Sequence, residues 1–205
     1  MIRRLFILAA TAASLALPLA AQAETATEVG GIKFPASVTL GNAPLQLNGA
    51  GVRYKAVFKV YAAGLYLNSK ASTAEAVLAS SGPRRMHIVM LREIDANELG
   101  KLFTKGMEQN ASREEFSKVI PGVIRMSDIF SQRKKLSPGE YFTIDYVPGT
   151  GSIISVMGKP ASDPIKEPEF FNALMKIWLG KSPADAQLKD LLLGKSPVGN
   201  YNNSN

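Results

Sequence analysis

The chain has no cysteine and only one histidine and one tryptophan in 205 residues. Without cysteine there is no disulfide, no thiol nucleophile and no thiolate metal site, so the fold must rest on its core alone. The lone His87 removes the paired-histidine ligand sets of zinc sites, and no acidic run has the spacing of a calcium loop. No Gly-x-Ser-x-Gly elbow is present, and no glycine-rich loop precedes a helix as a phosphate cradle. No metal and no cofactor is therefore expected. Basic residues are scattered, with short clusters only at Arg84-Arg85 and Arg133-Lys134-Lys135. They lack the aromatic interleaving of nucleic-acid surfaces, so no nucleic-acid partner is expected. No internal repeat is present, and after the N-terminus no apolar run is long enough to span a bilayer.

What the N-terminus does have is the pattern of an export leader. Arg3 and Arg4 form a basic start, Leu5 to Leu19 an apolar stretch, and Ala21-Gln22-Ala23 a small-residue cleavage triplet. Residues 1–23 read as a signal peptide, which implies a periplasmic or secreted protein with no stable membrane span after cleavage. The 24 Lys and Arg against 17 Asp and Glu give +7, and losing Arg3 and Arg4 with the leader leaves +5. That mild excess favours anionic ligands or an anionic surface. Residues 24–194 read as a single domain and 195–205, polar and Asn-rich, as a disordered tail.

Strand and helix patterns alternate along the domain. Glu28 to Pro35 reads as a short edge strand, and Val38–Leu40 pairs with Leu45–Leu47 across Gly41-Asn42. Arg85 to Arg92 is apolar on both faces and reads as a central strand. Tyr141–Val147 and Ser152–Met157 form a hairpin around Pro148-Gly149-Thr150-Gly151. Helix starts are marked by capping signals at Ser72, Asp95 and Ser112, by Glu167-Pro168 and by Ser182-Pro183-Ala184-Asp185. The apolar helix faces are Leu99, Leu102, Phe103 and Met107; Phe116, Val119 and Ile120, with Pro121-Gly122 expected to interrupt; Phe170, Phe171, Leu174, Ile177 and Trp178; and Leu188 with Leu191 to Leu193. Strands first, helices in the middle, a hairpin, then helices argue an α+β fold, a mainly antiparallel sheet with helices on one face.

The stretch around which the rest is organised is Leu47 to Leu67, LNGAGVRYKAVFKVYAAGLYL. Gly49-Ala50-Gly51 reads as a turn, and the β-branched and aromatic run after it as strand, either one long bent strand or two. Positions 52, 54, 56, 58 and 60 are apolar and should face a core. Positions 53, 55, 57, 59 and 61 should face water or a cleft, and there Arg53 and Tyr61 have chemical use. A guanidinium presents a planar fork to a carboxylate or phenolate-like oxyanion, and a phenol can donate beside it. Equally, a strand arginine can be solvated and a strand tyrosine can be a cross-strand packing group. His87, mid-strand and without a carboxylate motif, reads as structural.

Gly49-Ala50-Gly51-Val52-Arg53 followed by Lys59-Val60-Tyr61-Ala62-Ala63-Gly64-Leu65-Tyr66-Leu67 resembles the signature of the chalcone isomerase superfamily, with the bacterial secreted chalcone isomerase-like branch as best fit. In the plant enzymes a glycine-rich turn leads to an active-site arginine, and a second strand carries an active-site threonine before an Ala-x-Gly-x-Tyr-Leu run. Arg53 matches the arginine; Tyr61 stands at the threonine position. The catalytic Tyr and Asn at the start of the helix after the central strand fall in Arg92–Thr104, which offers Asn97 and Thr104 but no Tyr. The resemblance implies an open-faced sandwich with a ligand cleft between the large sheet and the helix layer. Three functions stay open. One is a binding protein for a fatty acid or similar amphipathic anion, as in the superfamily's non-catalytic branch, with Arg53 as charge anchor and Tyr61, Asn97 and Thr104 in the site. The second is an isomerase, an intramolecular lyase acting on a phenolic enone through Arg53 and Tyr61. The third is a structural or accessory periplasmic domain. The oligomeric state is not readable.

Overall fold

The computed structural model describes residues 26–196, so the leader at 1–23 and the tail from 197 lie outside the described residues. Two short strands come first, β1 (Thr27–Val29) and β2 (Ile32–Phe34), then β3 (Ser37–Leu40), β4 (Ala43–Lys55) and β5 (Phe58–Leu67). Helix α1 (Ala74–Ala79) leads to β6 (Arg84–Met90) and β7 (Ile94–Asp95). Helices α2 (Ala96–Gln109) and α3 (Arg113–Ser131) follow, then β8 (Lys135–Leu136), β9 (Tyr141–Val147), β10 (Gly151–Val156) and β11 (Lys159–Pro160). Helices α4 (Phe170–Leu179) and α5 (Ala186–Leu192) close the chain.

Seven strands form one sheet in the order β11-β10-β9-β6-β5-β4-β3, with β6 at its centre. Every pairing in it is antiparallel, as the α+β reading requires. Its two faces bury different side chains. Tyr61, Ala63, Leu65 and Leu67 of β5 join Met86, Ile88 and Met90 of β6 in the large core beneath the helices. Ala62, Tyr66 and Val89 join Phe34, Leu45, Leu47 and Val52 in a smaller core on the other face. Phe34 belongs to the β1–β2 hairpin, which supplies much of that second cover.

Helices α1, α2, α3 and α5 begin at side-chain caps. Thr73 accepts from Ala76 N–H, Asp95 from Glu98 N–H and Asp185 from Leu188 N–H, and Ser112 with Glu115 closes a full capping box. Helix α4 is buried on almost every side, and its Phe170, Phe171, Leu174 and Trp178 are wholly inside.

Four expectations change. Glu28 to Pro35 is a hairpin, because Gly30 and Gly31 both take positive φ, +60° and +83°, as a two-residue turn requires. The Leu47–Leu67 stretch is two strands turning at Ala56-Val57, so the single alternation fails: Tyr54 and Phe58 are exposed while Tyr61 is buried. Gly49-Ala50-Gly51 lies inside β4, beside a register shift at Leu47/Gly49. Pro121-Gly122 does not interrupt α3, which runs through it. A β-carbon on Gly122 would overlap the Phe170 ring, so that glycine lets α4 pack closely on α3.

Candidate functional site

Glycines on β4 decide where the last helix lies. A β-carbon on Gly49 would overlap the Leu191 carbonyl oxygen, and one on Gly51 would sit 2.7 Å from Leu191 Cδ1 and 3.0 Å from Leu188 Cδ1. Their hydrogens instead let α5 rest on the strand backbone. The start of α5 is tied to the same strand. Tyr54 N–H donates to Asp185 Oδ2 at 2.9 Å, and Leu188 N–H donates to Asp185 Oδ1 at 3.0 Å. Arg53 thus stands where α5 begins, next to a second register shift at Arg53/Tyr54 that re-aims the strand.

Directly opposite Arg53 in the ladder is Tyr61, and the Arg53 guanidinium carbon lies 5.5 Å from the Tyr61 ring centroid. The structure therefore brings together the two residues that the sequence placed on one parity. Tyr61 is 1% exposed. Its oxygen accepts from Trp178 Nε1–H at 2.7 Å, and Trp178 is held edge-on by Phe103 of α2 with ring centroids 5.4 Å apart. Burial pushes the Tyr61 phenol up to about 12, against the opposing pull of Arg53 and the Trp178 hydrogen bond, with Asp185 adding to the rise. It is a neutral hydroxyl at any working pH.

The donor count is unbalanced. Trp178 can only donate, so the Tyr61 hydrogen is left over, and no acceptor for it lies among the described residues. Arg53 Nε is buried without a hydrogen-bond partner, and Arg53 makes no ion pair among the described residues. Two donors on paired residues, one of them cationic, are left without an oxygen to hold. A carboxylate, or another oxyanion of that size, is the chemical complement.

Asn97 and Thr104 are elsewhere. They line a groove of about 600 Å³ between α2 and α3, with Lys101, Lys105, Ser127 and Asp128, and neither Arg53 nor Tyr61 borders it. Thr104 Oγ1 donates back to Gly100 O at 3.1 Å. His87 faces the second core, between Phe34 and Tyr141 at ring-centroid distances of 5.6 and 5.1 Å. Burial, helped by Arg85, pulls it down to about 4. No group of three or more potential metal ligands gathers among the described residues. No helix among them is long and apolar enough to cross a membrane.

Two members of the site were not singled out from sequence, Trp178 and Asp185. The signal for Trp178 was available: a buried indole needs an acceptor for its N–H, and this chain has a single Trp. Asp185 was read only as a helix cap; its second bond, to Tyr54, crosses 131 positions.

No curated protein matches the chain. Among solved structures it is similar to a fatty-acid binding protein of Arabidopsis thaliana, with a TM-score of 0.63 at 15% identity over 80% of this chain and 92% of that one. At that identity the likeness is one of fold. The family described as chalcone isomerase-like matches residues 26–194. Over that span the chain belongs to the chalcone isomerase-like family.

Proposed function

We propose that the protein binds a fatty acid or a similar amphipathic anion, with its acid head on Arg53 and Tyr61 and its tail directed between the sheet and the helix layer. The observation that carries this reading is the unmatched pair of donors: Arg53 Nε, buried with no acceptor, opposite a Tyr61 hydroxyl whose oxygen is already engaged by Trp178. A neutral phenol and a guanidinium bind a carboxylate without any proton transfer. Leu188, Ile177 and Trp178 belong to one buried apolar cluster with Tyr61, the kind of lining against which a hydrocarbon tail packs. The similar plant structure, itself a fatty-acid binding protein, lends the reading a precedent on the same fold. The leader pattern at 1–23 supports binding outside the cytoplasm, in the bacterial secreted branch of the family.

Native mass spectrometry of protein recovered after export tests both parts. The expected species lacks residues 1–23 and carries, or takes up on titration, a carboxylate lipid. Protein that takes up no long-chain carboxylate overturns the binding reading, and turnover of a phenolic enone would favour the isomerase instead. A species retaining Met1 to Ala23 overturns the export reading.

A further inference from the structure

One end of the large sheet gathers apolar side chains and cations that the ligand site does not use. The β4–β5 turn is Ala56-Val57, closed by the Lys55–Phe58 pair. Val57 is 83% exposed, Phe58 59% and Tyr54 39%. Strand registers bring a second turn to the same end: Tyr61 lies opposite Met90, Val89 opposite Tyr141, and Phe142 opposite Val156. The β10–β11 turn therefore emerges there, and it exposes Met157. Three strand spacings, about 14 Å, separate β5 from β10, with β6 and β9 between them.

Both turns are built against local preference. Ala56 at φ +53° and Met157 at φ +51° are the non-glycine residues with positive φ among the described residues. Such positions favour Gly, Asn or Asp, and here Ala56 and Met157 occupy them instead. Single exposed apolar residues are ordinary. Apolar tips on two positive-φ turns at the same end of one sheet are not.

Charge completes the pattern. Lys55 and Lys59 are exposed on either side of Ala56-Val57, and Lys159 stands just beyond Met157. The Arg92 guanidinium lies 5.2 Å from the Phe58 ring centroid. The acids at this end are already engaged. Glu93 pairs with Lys135 at 2.6 Å, Glu140 pairs with Arg133 at 3.2 Å, and Asp185 accepts from two backbone N–H groups. What remains is apolar tips within a rim of cations that make no ion pair among the described residues, on a chain of net charge +7.

We infer that this end of the sheet docks on an anionic phospholipid bilayer, Val57 and Phe58 entering the interface while Lys55, Lys59, Arg92 and Lys159 meet the headgroups. Projecting tips enter a deformable surface, and basic residues near such a surface each add about fivefold in affinity. A folded protein partner would call for a broad complementary patch rather than isolated tips. The docking stands apart from the ligand reading, since it needs no free fatty acid. It does place the Arg53 rung four residues from the membrane-facing turn.

The test is sedimentation of the purified protein with vesicles of phosphatidylcholine alone and of phosphatidylcholine mixed with phosphatidylglycerol, all free of fatty acid. Wild type and variants are matched at the N-terminus by intact mass, so any leader contributes equally. Wild type is expected on the mixed vesicles, released by added salt, and about tenfold or more weaker on phosphatidylcholine. The double variant Val57→Ser/Phe58→Ser should lose at least about tenfold on the mixed vesicles, as should Lys55→Glu/Lys59→Glu, with unchanged thermal melts. Absence of wild-type binding, or equal binding by the serine variant, overturns the inference. Vesicle-free self-association that Val57→Ser/Phe58→Ser abolishes assigns the tip to a second copy of the chain and overturns it as well.

Discussion

Trp178 Nε1–H donates to the Tyr61 oxygen at 2.7 Å, across 117 positions of sequence and inside the main core. The bond joins α4 to β5 and fixes which part of the Tyr61 hydroxyl is left for a ligand. The oxygen is engaged, and the hydrogen remains.

Tyr61→Phe should therefore affect both stability and binding. The Trp178 N–H loses its acceptor in a buried place, which costs about 1–3 kcal/mol. In a double-mutant cycle with Trp178→Phe, read by denaturant melts, the two changes should be coupled by about 1 kcal/mol or more. Additive losses would show that the bond contributes nothing to the fold.

Gly49→Ala and Gly51→Ala should differ. At Gly49 the added carbon meets the Leu191 carbonyl oxygen, a backbone atom that cannot turn aside. At Gly51 it meets first the Leu191 Cδ1 methyl at 2.7 Å, which can rotate. We expect a loss of about 3 kcal/mol or more for Gly49→Ala and about 1–2 kcal/mol for Gly51→Ala. Equal melting temperatures for the two variants would mean that α5 is not seated on β4 in solution.

These glycines also show where sequence reasoning stopped. Local signals were legible because one residue and its near neighbours settle them: the caps at Asp95, Ser112 and Asp185, the β3–β4 turn at Gly41, and the doubly apolar central strand Arg84–Met90. The Arg53–Tyr61 pairing was legible as shared parity, although the turn between them was not, because Ala56-Val57 lacks the residues that mark a hairpin. Gly49-Ala50-Gly51 looked like a turn, yet its purpose is set by a helix about 140 residues later. Arg84 read only as half of a short basic cluster. The fold buries it to 3% exposure between Tyr146 and Phe171, 4.7 Å from each ring centroid, with its hydrogen bonds going to Val77 O and Asn172 Oδ1. Only the tertiary fold brings those partners together.

His87 should make the protein less stable as pH falls. Burial and the nearby Arg85 hold its folded pKa at about 4, below the ordinary 6.5. The unfolded chain therefore binds the proton first. The stabilising difference is complete above about pH 6.5 and is lost progressively as pH falls toward about 4, by roughly 2–3 kcal/mol in all. His87→Gln should flatten that part of the stability profile, measured as urea midpoints between those limits. An unchanged slope in His87→Gln would place His87 in contact with water.

Arg53 is the residue on which the ligand reading depends. Its Nε is buried without a partner, it makes no ion pair among the described residues, and its guanidinium carbon lies 5.5 Å from the centroid of the Tyr61 ring. Its charge meets only the face of the Tyr61 ring among the described residues and no carboxylate, so Arg53→Ala should melt within about 1 kcal/mol of wild type. Binding should suffer more. A charge-assisted pair with a carboxylate contributes about 1.5–3 kcal/mol, which is a ten- to hundredfold loss in affinity for Arg53→Ala. Arg53→Lys should recover only part of it, because an ammonium replaces the planar fork with a point charge. Titration of the three proteins with a fluorescent long-chain fatty acid, alongside thermal melts, separates the outcomes. Equal affinity in all three removes Arg53 from the site. A large loss of stability in ligand-free Arg53→Ala would make the arginine architectural, and the unmatched donors beside α5 would then be part of the fold rather than a place for an acid head.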